Sequence, residues 1–413
     1  MSFNEWKEVK LEDVVDTISK RHKFDKDKII LINTSDVLEG KVLNHEYVQN
    51  ENLKGQFKKS FQKNDILYSE IRPQNKRFAY VDFQSDDYVA STKLMVLRKK
   101  NEMITSNFLY QILKSDDLIN ELQVIAESRS GTFPQITYNE LSRMKIKLPP
   151  LDEQKAIAHI LSTLDDKIEV NNQINKTLEN MAQVIFKQWF VDFEFPNEDG
   201  EPYKSSGGEM VESELGVIPK GWEVVELNKL AKLTMGLSPK SESYNTDYIG
   251  TPLLNGAADF NNGLIKANKF TTQPTRICEK GDLVFCIRAT IGNITFADQE
   301  FCLGRGVAAL KPLSGSYIGL IYFNLDMAME RLKANATGSV ILGLSKPDIN
   351  NLKIILPSED ILNRFSEISN NILNFKHNFE REIGELIDIR DSLLPKLMSG
   401  EIRAPLDSEG DAS

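Results

Sequence analysis

Residues 148–196 read LPPLDEQKAIAHILSTLDDKIEVNNQINKTLENMAQVIFKQWFVDFEFP, and this stretch decides the fold. Pro149-Pro150 excludes a helix before it, because a proline pushes the preceding residue toward extended geometry. Asp152 and Glu153 follow in the first turn, where unpaired N–H groups favour negative charge. The pattern therefore predicts one helix that begins after Pro150 and is ended by Pro196.

Apolar residues recur in this stretch in alternating steps of four and three, the spacing of a coiled-coil seam. The seam positions are Ile157, Leu161, Leu164, Ile168, Asn171, Asn175, Leu178, Ala182, Ile185 and Trp189. The two asparagines are polar steps of the kind that commonly fix register or partner choice. A helix of about 40 residues is roughly 60 Å long, which favours a spacer over an ordinary core helix.

A second seam of similar length lies near the C-terminus and is expected to end at Pro395 and Gly400. Its positions are Ile361, Phe365, Ile368, Ile372, Phe375, Phe379, Leu386, Ile389 and Leu393. Two long seams in one chain are most simply paired with each other, antiparallel. Because the pattern occurs twice, we expect the rest of the chain to be a duplication as well.

The segments before the two helices share landmarks in the same order. The matching pairs are Trp6-x4-Leu11 with Trp222-x4-Leu227, Asp36-x3-Gly40 with Asp259-x3-Gly263, Lys63–Tyr68 with Lys280–Phe285, Ser130-Gly131 with Thr337-Gly338, and Glu140–Pro149 with Asp348–Pro357. Short strand-like runs dominate both segments, with short helices expected at Asn107–Leu113 and Ile318–Leu332. The predicted fold class is α+β, with two pseudo-repeated mixed α/β domains joined by two long antiparallel coiled-coil helices. The predicted divisions are a first domain (1–150), a central spacer helix (151–196), a linker (197–220), a second domain (221–357), a C-terminal spacer helix (358–400) and a tail (401–413).

The composition of the 413 residues narrows the class of protein. No apolar run reaches transmembrane length, and the polar first residues do not resemble a signal peptide. The three cysteines are spaced neither for zinc nor for a disulfide framework, so we expect a cytoplasmic protein with no metal site. The net charge of −10 comes from the helices and the tail, whereas the two domains are mildly basic.

The chain contains no recognisable catalytic motif: no phosphate loop, no H-E-x-x-H, no nucleophile elbow and no adenine-methyltransferase signature. What remains are loops rich in basic and amide side chains, the chemistry that contacts phosphates and base edges. A charged turn on a solvated surface is the simpler interpretation of each loop. The candidate DNA-binding residues are Arg72, Asn75, Lys76, Arg77, Lys93, Arg129, Thr132, Gln135, Lys240, Arg288, Thr290, Asn293, Arg305, Thr337 and Ser339.

The sequence resembles the specificity subunits of type I restriction–modification systems over nearly its whole length. The resemblance rests on Leu148–Gln154, Trp189–Pro196, Glu214–Trp222, Gly304–Val307 and Leu394-Pro395. The start of the second helix departs from the family pattern, because Leu356–Asp360 lacks the second proline and the Glu-Gln pair.

The resemblance implies a non-catalytic subunit with two target-recognition domains, each reading half of a split, asymmetric site in double-stranded DNA. It further implies that the helices act as a ruler and dock two modification subunits, which restriction subunits join. S-adenosylmethionine, ATP and Mg would be bound by those partners and not by this chain. The docking candidates are Glu153, Gln154, Trp189 and Phe190, with simple seam packing an equal alternative for the last two. A coiled-coil interaction scaffold without specific DNA recognition is the alternative function.

Overall fold

The computed structural model describes residues 6–23, 25–51, 55–128, 134–261, 263–288, 290–335 and 343–406. The chain forms two compact units. The first unit comprises residues 1–167 and 387–413, and the second comprises residues 168–386. This division cuts both long helices in the middle, whereas the predicted bounds separate the helices from the domains. Within the described ranges, no helix is both long enough and apolar enough to cross a lipid bilayer.

The described residues before the central helix form twelve strands and four α-helices. The strands are β1 (Lys7–Lys10), β2 (Val15–Thr17), β3 (Lys28–Ile32), β4 (Val37–Leu38), β5 (Lys41–Val42), β6 (Tyr47–Gln49), β7 (Phe57–Lys59), β8 (Ile66–Ser69), β9 (Phe78–Tyr80), β10 (Tyr88–Ser91), β11 (Leu94–Lys99) and β12 (Lys145–Leu148). The helices are α1 (Leu11–Val14), α2 (Ser106–Leu113), α3 (Asp116–Glu127) and α4 (Tyr138–Ser142), and the central helix α5 spans Leu151–Phe190.

The remainder of the chain repeats this mixture of short strands and helices. Its strands are β13 (Met210–Ser213), β14 (Gly216–Pro219), β15 (Glu223–Glu226), β16 (Ala231–Met235), β17 (Tyr244–Asn245), β18 (Thr251–Leu254), β19 (Phe260–Asn261), β20 (Leu264–Ile265), β21 (Lys269–Thr271), β22 (Ile277–Cys278), β23 (Leu283–Cys286), β24 (Gly292–Phe296), β25 (Phe301–Leu303), β26 (Val307–Pro312) and β27 (Lys353–Leu356). Its helices are α6 (Ile318–Asn335), α7 (Lys346–Asn350) and the C-terminal helix α8 (Glu359–Ser399). The predicted linker thus contains a hairpin, β13–β14.

The predicted duplication is visible in the sheets. The order β2-β11-β8-β9 in the first unit corresponds to β16-β26-β23-β24 in the second. The order β6-β3-β10-β7 corresponds to β21-β18-β25-β22, with β17 as an extra edge strand, and the pairs β3–β10 and β18–β25 are both parallel. The first strand of each copy pairs antiparallel with the last, β1 with β12 and β15 with β27.

The two long helices pair antiparallel within each unit. In the first unit, Arg390 Nη1 of α8 lies 3.1 Å from Asp165 Oδ1 of α5. In the second unit, Lys376 Nζ of α8 lies 3.4 Å from Glu179 Oε1 of α5. Also in the second unit, the Phe190 ring of α5 lies 4.6 Å from the Phe365 ring of α8. The residue number therefore falls along α8 as it rises along α5, which confirms the predicted antiparallel arrangement.

The predicted ends of both helices need correction. Helix α5 ends at Phe190, before Pro196, because Phe193 adopts a left-handed φ of 60° and the chain turns its next aromatic residues into the core. Helix α8 passes through Pro395 and ends at Ser399, followed by Gly400 with a φ of 77°. Gly400 therefore ends this helix, as glycine commonly does at a helix C-terminus, and Pro395 does not.

The predicted seam is correct on α5 and partly wrong on α8. On α5, Ile157, Leu161 and Asn171 are fully buried. On α8 the predicted Ile368, Phe375 and Ile389 are exposed at 36%, 58% and 47% of their surface. The buried face of α8 carries the predicted Ile361 and Phe365 together with Leu362, Ser366, Ser369, Leu373, Ile383 and Leu397. Because Ser366 and Ser369 are polar residues on the buried face, a search for apolar residues alone assigns the wrong register to this helix.

Candidate nucleic-acid interface

Three loops of the first unit meet at one place. The Glu70 N–H donates to the Lys93 carbonyl at 3.1 Å, and the Ile136 N–H donates to the Glu70 carbonyl at 2.8 Å. The Arg72 N–H donates to the Pro134 carbonyl at 3.0 Å. These bonds join the β8–β9 loop, the β10–β11 loop and the segment before α4. We call residues 70–77, 91–93 and 134–136 the first loop cluster.

The second unit repeats two of these main-chain bonds at matching positions. The Ile287 N–H donates to the Gly306 carbonyl at 2.9 Å, and the Leu344 N–H donates to the Ile287 carbonyl at 2.9 Å. The segment after β16 joins them, because the Arg305 N–H and Nε–H both lie 3.3 Å from Ser238 Oγ. We call residues 236–240, 287–288, 290–292, 304–306 and 343–344 the second loop cluster.

Arg305 is held on a tightly packed turn. A Cβ atom on Gly304 would lie 2.8 Å from the Leu254 carbonyl oxygen, and one on Gly306 would collide with the Asn255 carbonyl oxygen. The turn therefore requires both glycines. The Arg305 side chain is exposed, and in the described part of the chain its two terminal nitrogens have no hydrogen-bond partner, so they point a guanidinium into solvent from a fixed base.

The structure brings most of the described candidates of the first unit into the first loop cluster. Arg72 and Asn75 are exposed at the ends of a short 3-10 turn, and Gln135 is exposed beside Ile71. Lys93 Nζ lies 3.4 Å from Glu70 Oε2. Lys76 Nζ lies 2.8 Å from an Asp116 carboxylate oxygen of α3, so this lysine also buttresses the loop.

Arg77 has a structural role in this cluster. Its Nη1 donates to the Ser35 carbonyl at 3.0 Å and to the Val37 carbonyl at 3.3 Å. These bonds turn the guanidinium toward the β4–β5 hairpin of its own unit. Contact of this guanidinium with DNA, which the sequence predicted, would require breaking these hydrogen bonds.

The described candidates of the second unit are less uniform. Lys240 is 79% exposed, with Nζ 3.9 Å from a Glu242 carboxylate oxygen. Arg288 and Thr290 are exposed on the β23–β24 loop, whereas Asn293 lines a small cavity with Gly263. The remaining candidates, Arg129, Thr132, Thr337 and Ser339, lie outside the described residues.

Two predicted docking residues are engaged inside the first unit. The Glu153 carboxylate, 2% exposed, accepts from Arg403 Nε at 2.5 Å, from Arg403 Nη2 at 2.7 Å and from Trp6 Nε1 at 3.1 Å. Gln154 is fully buried, and its amide bonds the Thr105 N–H and the Met103 and Pro149 carbonyls. Their side chains tie the start of α5 to its surroundings, and their docking role stays a prediction.

The other two docking candidates, Trp189 and Phe190, belong to an aromatic core in the second unit. They are 6% and 5% exposed, and the Phe190 ring lies 4.6 Å from Phe365 and 5.7 Å from Trp222. The structure therefore supports packing for both, which was one of the two interpretations of the sequence.

Sequence reasoning missed two polar residues of the first loop cluster and its border, Lys59 and Glu70. Lys59 Nζ donates to the Thr92 and Leu94 carbonyls at 3.1 and 2.8 Å, and burial lowers the pKa of Lys59. Lys59 lies in a basic-amide run that the sequence reasoning passed over, Glu70 carries the opposite charge to such runs, and only the long-range strand pairing brings the two together. In the part of the chain that the structure describes, no three His, Cys, Asp or Glu side chains are grouped to hold a metal ion.

Comparison with known proteins identifies a family model, relatives and a solved structure that are similar to this chain. A family model described as "Type I restriction modification DNA specificity domain" matches residues 4–180 and again 219–385. The Type I restriction enzyme HindI specificity subunit of Haemophilus influenzae is 33% identical over 97% of this chain and all of its own length. The MjaIX specificity subunit of Methanocaldococcus jannaschii is 29% identical over 73% of this chain and 70% of its own. The crystal structure of a type I restriction–modification S subunit from M. genitalium is 17% identical and covers 96% of both chains with a TM-score of 0.63, so it supports the fold.

Proposed function

This chain belongs to the type I restriction–modification DNA specificity family, and we propose that it recognises a bipartite, asymmetric site in double-stranded DNA. Each unit would read one half of the site through its loop cluster. The observation that carries this proposal is the repeated loop geometry. Two main-chain bonds, through Glu70 in the first unit and through Ile287 in the second, recur at matching positions while the side chains differ, as two readers of different half-sites need.

The chemistry of the loops fits this function. Arginine bonds guanine O6 and N7 as a bidentate donor, and lysine and main-chain N–H groups contact phosphates. Arg72, Lys93 and Arg305 are exposed on turns whose backbones are fixed by hydrogen bonds or glycine contacts. Fixed backbones limit the entropy lost when such side chains bind DNA.

The proposal extends to assembly. We propose that the helices dock two modification subunits, which restriction subunits join, and that this chain itself is non-catalytic. S-adenosylmethionine, ATP and Mg would then act in the partners. Support comes from an apolar groove along the second-unit part of α5, where Met181 and Val184 are 51% and 63% exposed.

The test uses the full chain purified together with modification subunits. Phosphate contacts make DNA affinity fall steeply with salt, and replacing Arg305 by alanine should cost on the order of 1–3 kcal/mol at one position of one half-site. Lys220→Ala, in the linker with its side chain 60% exposed, serves as the control and should leave both halves unchanged.

Methylome sequencing of cells that carry the complete system reports both half-sites and their spacing. A split motif that depends on this chain is the expected result. Methyl transfer by the purified chain alone would contradict the non-catalytic role. Partner assembly with no sequence preference in DNA binding would favour the alternative, a coiled-coil scaffold.

A further inference from the structure

One acidic residue, Glu70, lies inside the basic first loop cluster. Its main chain is fixed from both sides, because its N–H bonds the Lys93 carbonyl and its carbonyl accepts from Ile136. Its side chain is 22% exposed, and its carboxylate Oε2 lies 3.4 Å from Lys93 Nζ. Within the described ranges, Oε1 has no hydrogen-bond partner. The carboxylate is thus positioned but only weakly engaged.

A carboxylate on a DNA-binding surface is unfavourable unless DNA offers it a donor. The phosphates repel it, and its desolvation on binding costs free energy. The major groove presents two donors on base edges, the N4 amino group of cytosine and the N6 amino group of adenine, and acidic side chains accept from such groups. We propose that Glu70 is a specificity-determining residue that accepts a hydrogen bond from one exocyclic amino group in the half-site of the first unit. This inference rests on the proposed function and deepens it.

The second unit provides the contrast at the same position. Ile287 follows β23 as Glu70 follows β8, and its main chain makes the two matching bonds to Gly306 and Leu344. Its side chain is 2% exposed and belongs to the core. It cannot accept a hydrogen bond from a base, so the two units differ in chemistry at one shared backbone position.

The competing role for Glu70 is only to orient Lys93. That role predicts that removing the lysine amino group relaxes the same base position as removing the carboxylate. Direct readout predicts a different outcome. Lys93→Met should weaken all sequences alike if the lysine contacts phosphate, and should leave the base preference of the first half-site intact.

The experiment reads methylomes from cells that carry the full chain with its modification and restriction subunits. Glu70→Ala should raise modification of sites with the wrong base at one cytosine or adenine position of one half-site roughly tenfold, since a mismatched base typically costs about 1–3 kcal/mol. The base preferences at the other half-site should stay unchanged. The base that becomes tolerated identifies whether cytosine or adenine was read.

Two further variants keep the test decisive. Glu102→Ala, an 86% exposed acid of the same unit, should leave the motif unchanged. Glu70→Met removes both oxygen acceptors at a similar side-chain length and remains informative if the alanine variant fails to fold, and it should also alter the preference at that position. An unchanged sharp motif in Glu70→Met, or the same relaxation in Lys93→Met, would overturn the inference. If the wild-type system shows no site-specific methylation, that result counts against the proposed function instead.

Discussion

Each unit contains one joint where a tryptophan, the start of one long helix and the segment after the other long helix meet. In the first unit the joint is polar: the buried Glu153 carboxylate bonds Arg403 and Trp6, and the Arg403 guanidinium lies 5.6 Å from the Trp6 ring. In the second unit the joint is mainly aromatic: Phe195 stacks on Trp222 at 4.8 Å, and Arg364 Nη1 of α8 donates to the Pro196 carbonyl at 3.1 Å. One duplicated position is therefore stabilised by an ion pair in one copy and by ring packing in the other.

The difference shows what duplication preserves. Ile361, two residues after the start of α8, occupies the place that Glu153 has after the start of α5, and it is 6% exposed. Buried pairs and apolar contacts can replace one another at similar stability, but only when both partners change together. Both copies keep the backbone arrangement of the joint, whereas the interacting side chains differ together. Glu70 and Ile287 likewise share a backbone position in the loop clusters and differ in side chain.

The largest expected effect comes from breaking the polar joint on one side. Glu153→Ala removes the carboxylate that accepts from Arg403 and from Trp6 Nε1, and loss of one member of a buried pair costs about 3–5 kcal/mol. Denaturant unfolding of the full chain measures the loss. Asp152→Ala, whose side chain is 81% exposed beside Lys155, should cost less than about 1 kcal/mol. Equal losses in the two variants would mean that the polar joint contributes nothing special.

A smaller effect is expected when the polar joint is converted to the apolar type. The double substitution Glu153→Ile with Arg403→Phe removes both charges, and replacing a buried pair by apolar groups ranges from neutral to stabilising by about 1–4 kcal/mol. Trp6 loses its acceptor, which costs about 1–3 kcal/mol. We therefore expect the double variant to be clearly more stable than Glu153→Ala in the same unfolding experiment. A double variant as unstable as the single one would show that the two joints are not interchangeable.

The next prediction concerns a buried charged cluster of the second unit. Lys376 Nζ of α8 lies 3.7 Å from Glu380 Oε1, 3.4 Å from Glu179 Oε1 and 3.3 Å from the Tyr322 hydroxyl. Burial raises the pKa of Glu380 to about 7, against the opposing charge of Lys376. The folded state thus favours the protonated carboxyl.

Because the folded pKa lies above the unfolded value, this group stabilises the unit fully below about pH 4.5, and the contribution is lost as pH rises through about 7. The loss is on the order of 1–3 kcal/mol. Glu380→Gln should remove this part of the pH dependence of the unfolding free energy, measured over ~3 pH units between pH 5 and 8. Glu385→Gln, a 68% exposed acid on the same helix, should leave it in place. Identical pH profiles for wild type and Glu380→Gln would refute the assignment.

The sequence predicts the overall fold better than the arrangement of the candidate DNA-binding loops. Repeated landmarks and helical periodicity are local, so the duplication, the long helices and the mainly strand-like character of both domains follow from them. Helix α3 is not predicted, although Leu118, Leu122 and Ala126 have helical spacing, so that signal was present and missed. The site depends on long-range pairing: only the fold shows that Arg77 bonds Ser35, and no local pattern marks Glu70.

The smallest effect separates the lysines of the two loop clusters. Lys76 is 38% exposed and 2.8 Å from Asp116, whereas Lys240 is 79% exposed and 3.9 Å from its acid neighbour. If Lys240 contacts a phosphate, Lys240→Ala should weaken binding to all sequences alike and lower the slope of log affinity against log salt by about 1. Lys76→Ala should change the slope less, because its charge is already partly neutralised, and it should cost at most about 1 kcal/mol of stability. Affinities measured across a salt series for both variants decide this. A larger change of the salt slope for Lys76→Ala than for Lys240→Ala would mean that the Lys76–Asp116 ion pair breaks when DNA binds. The two loop clusters would then contact phosphates through equivalent lysines.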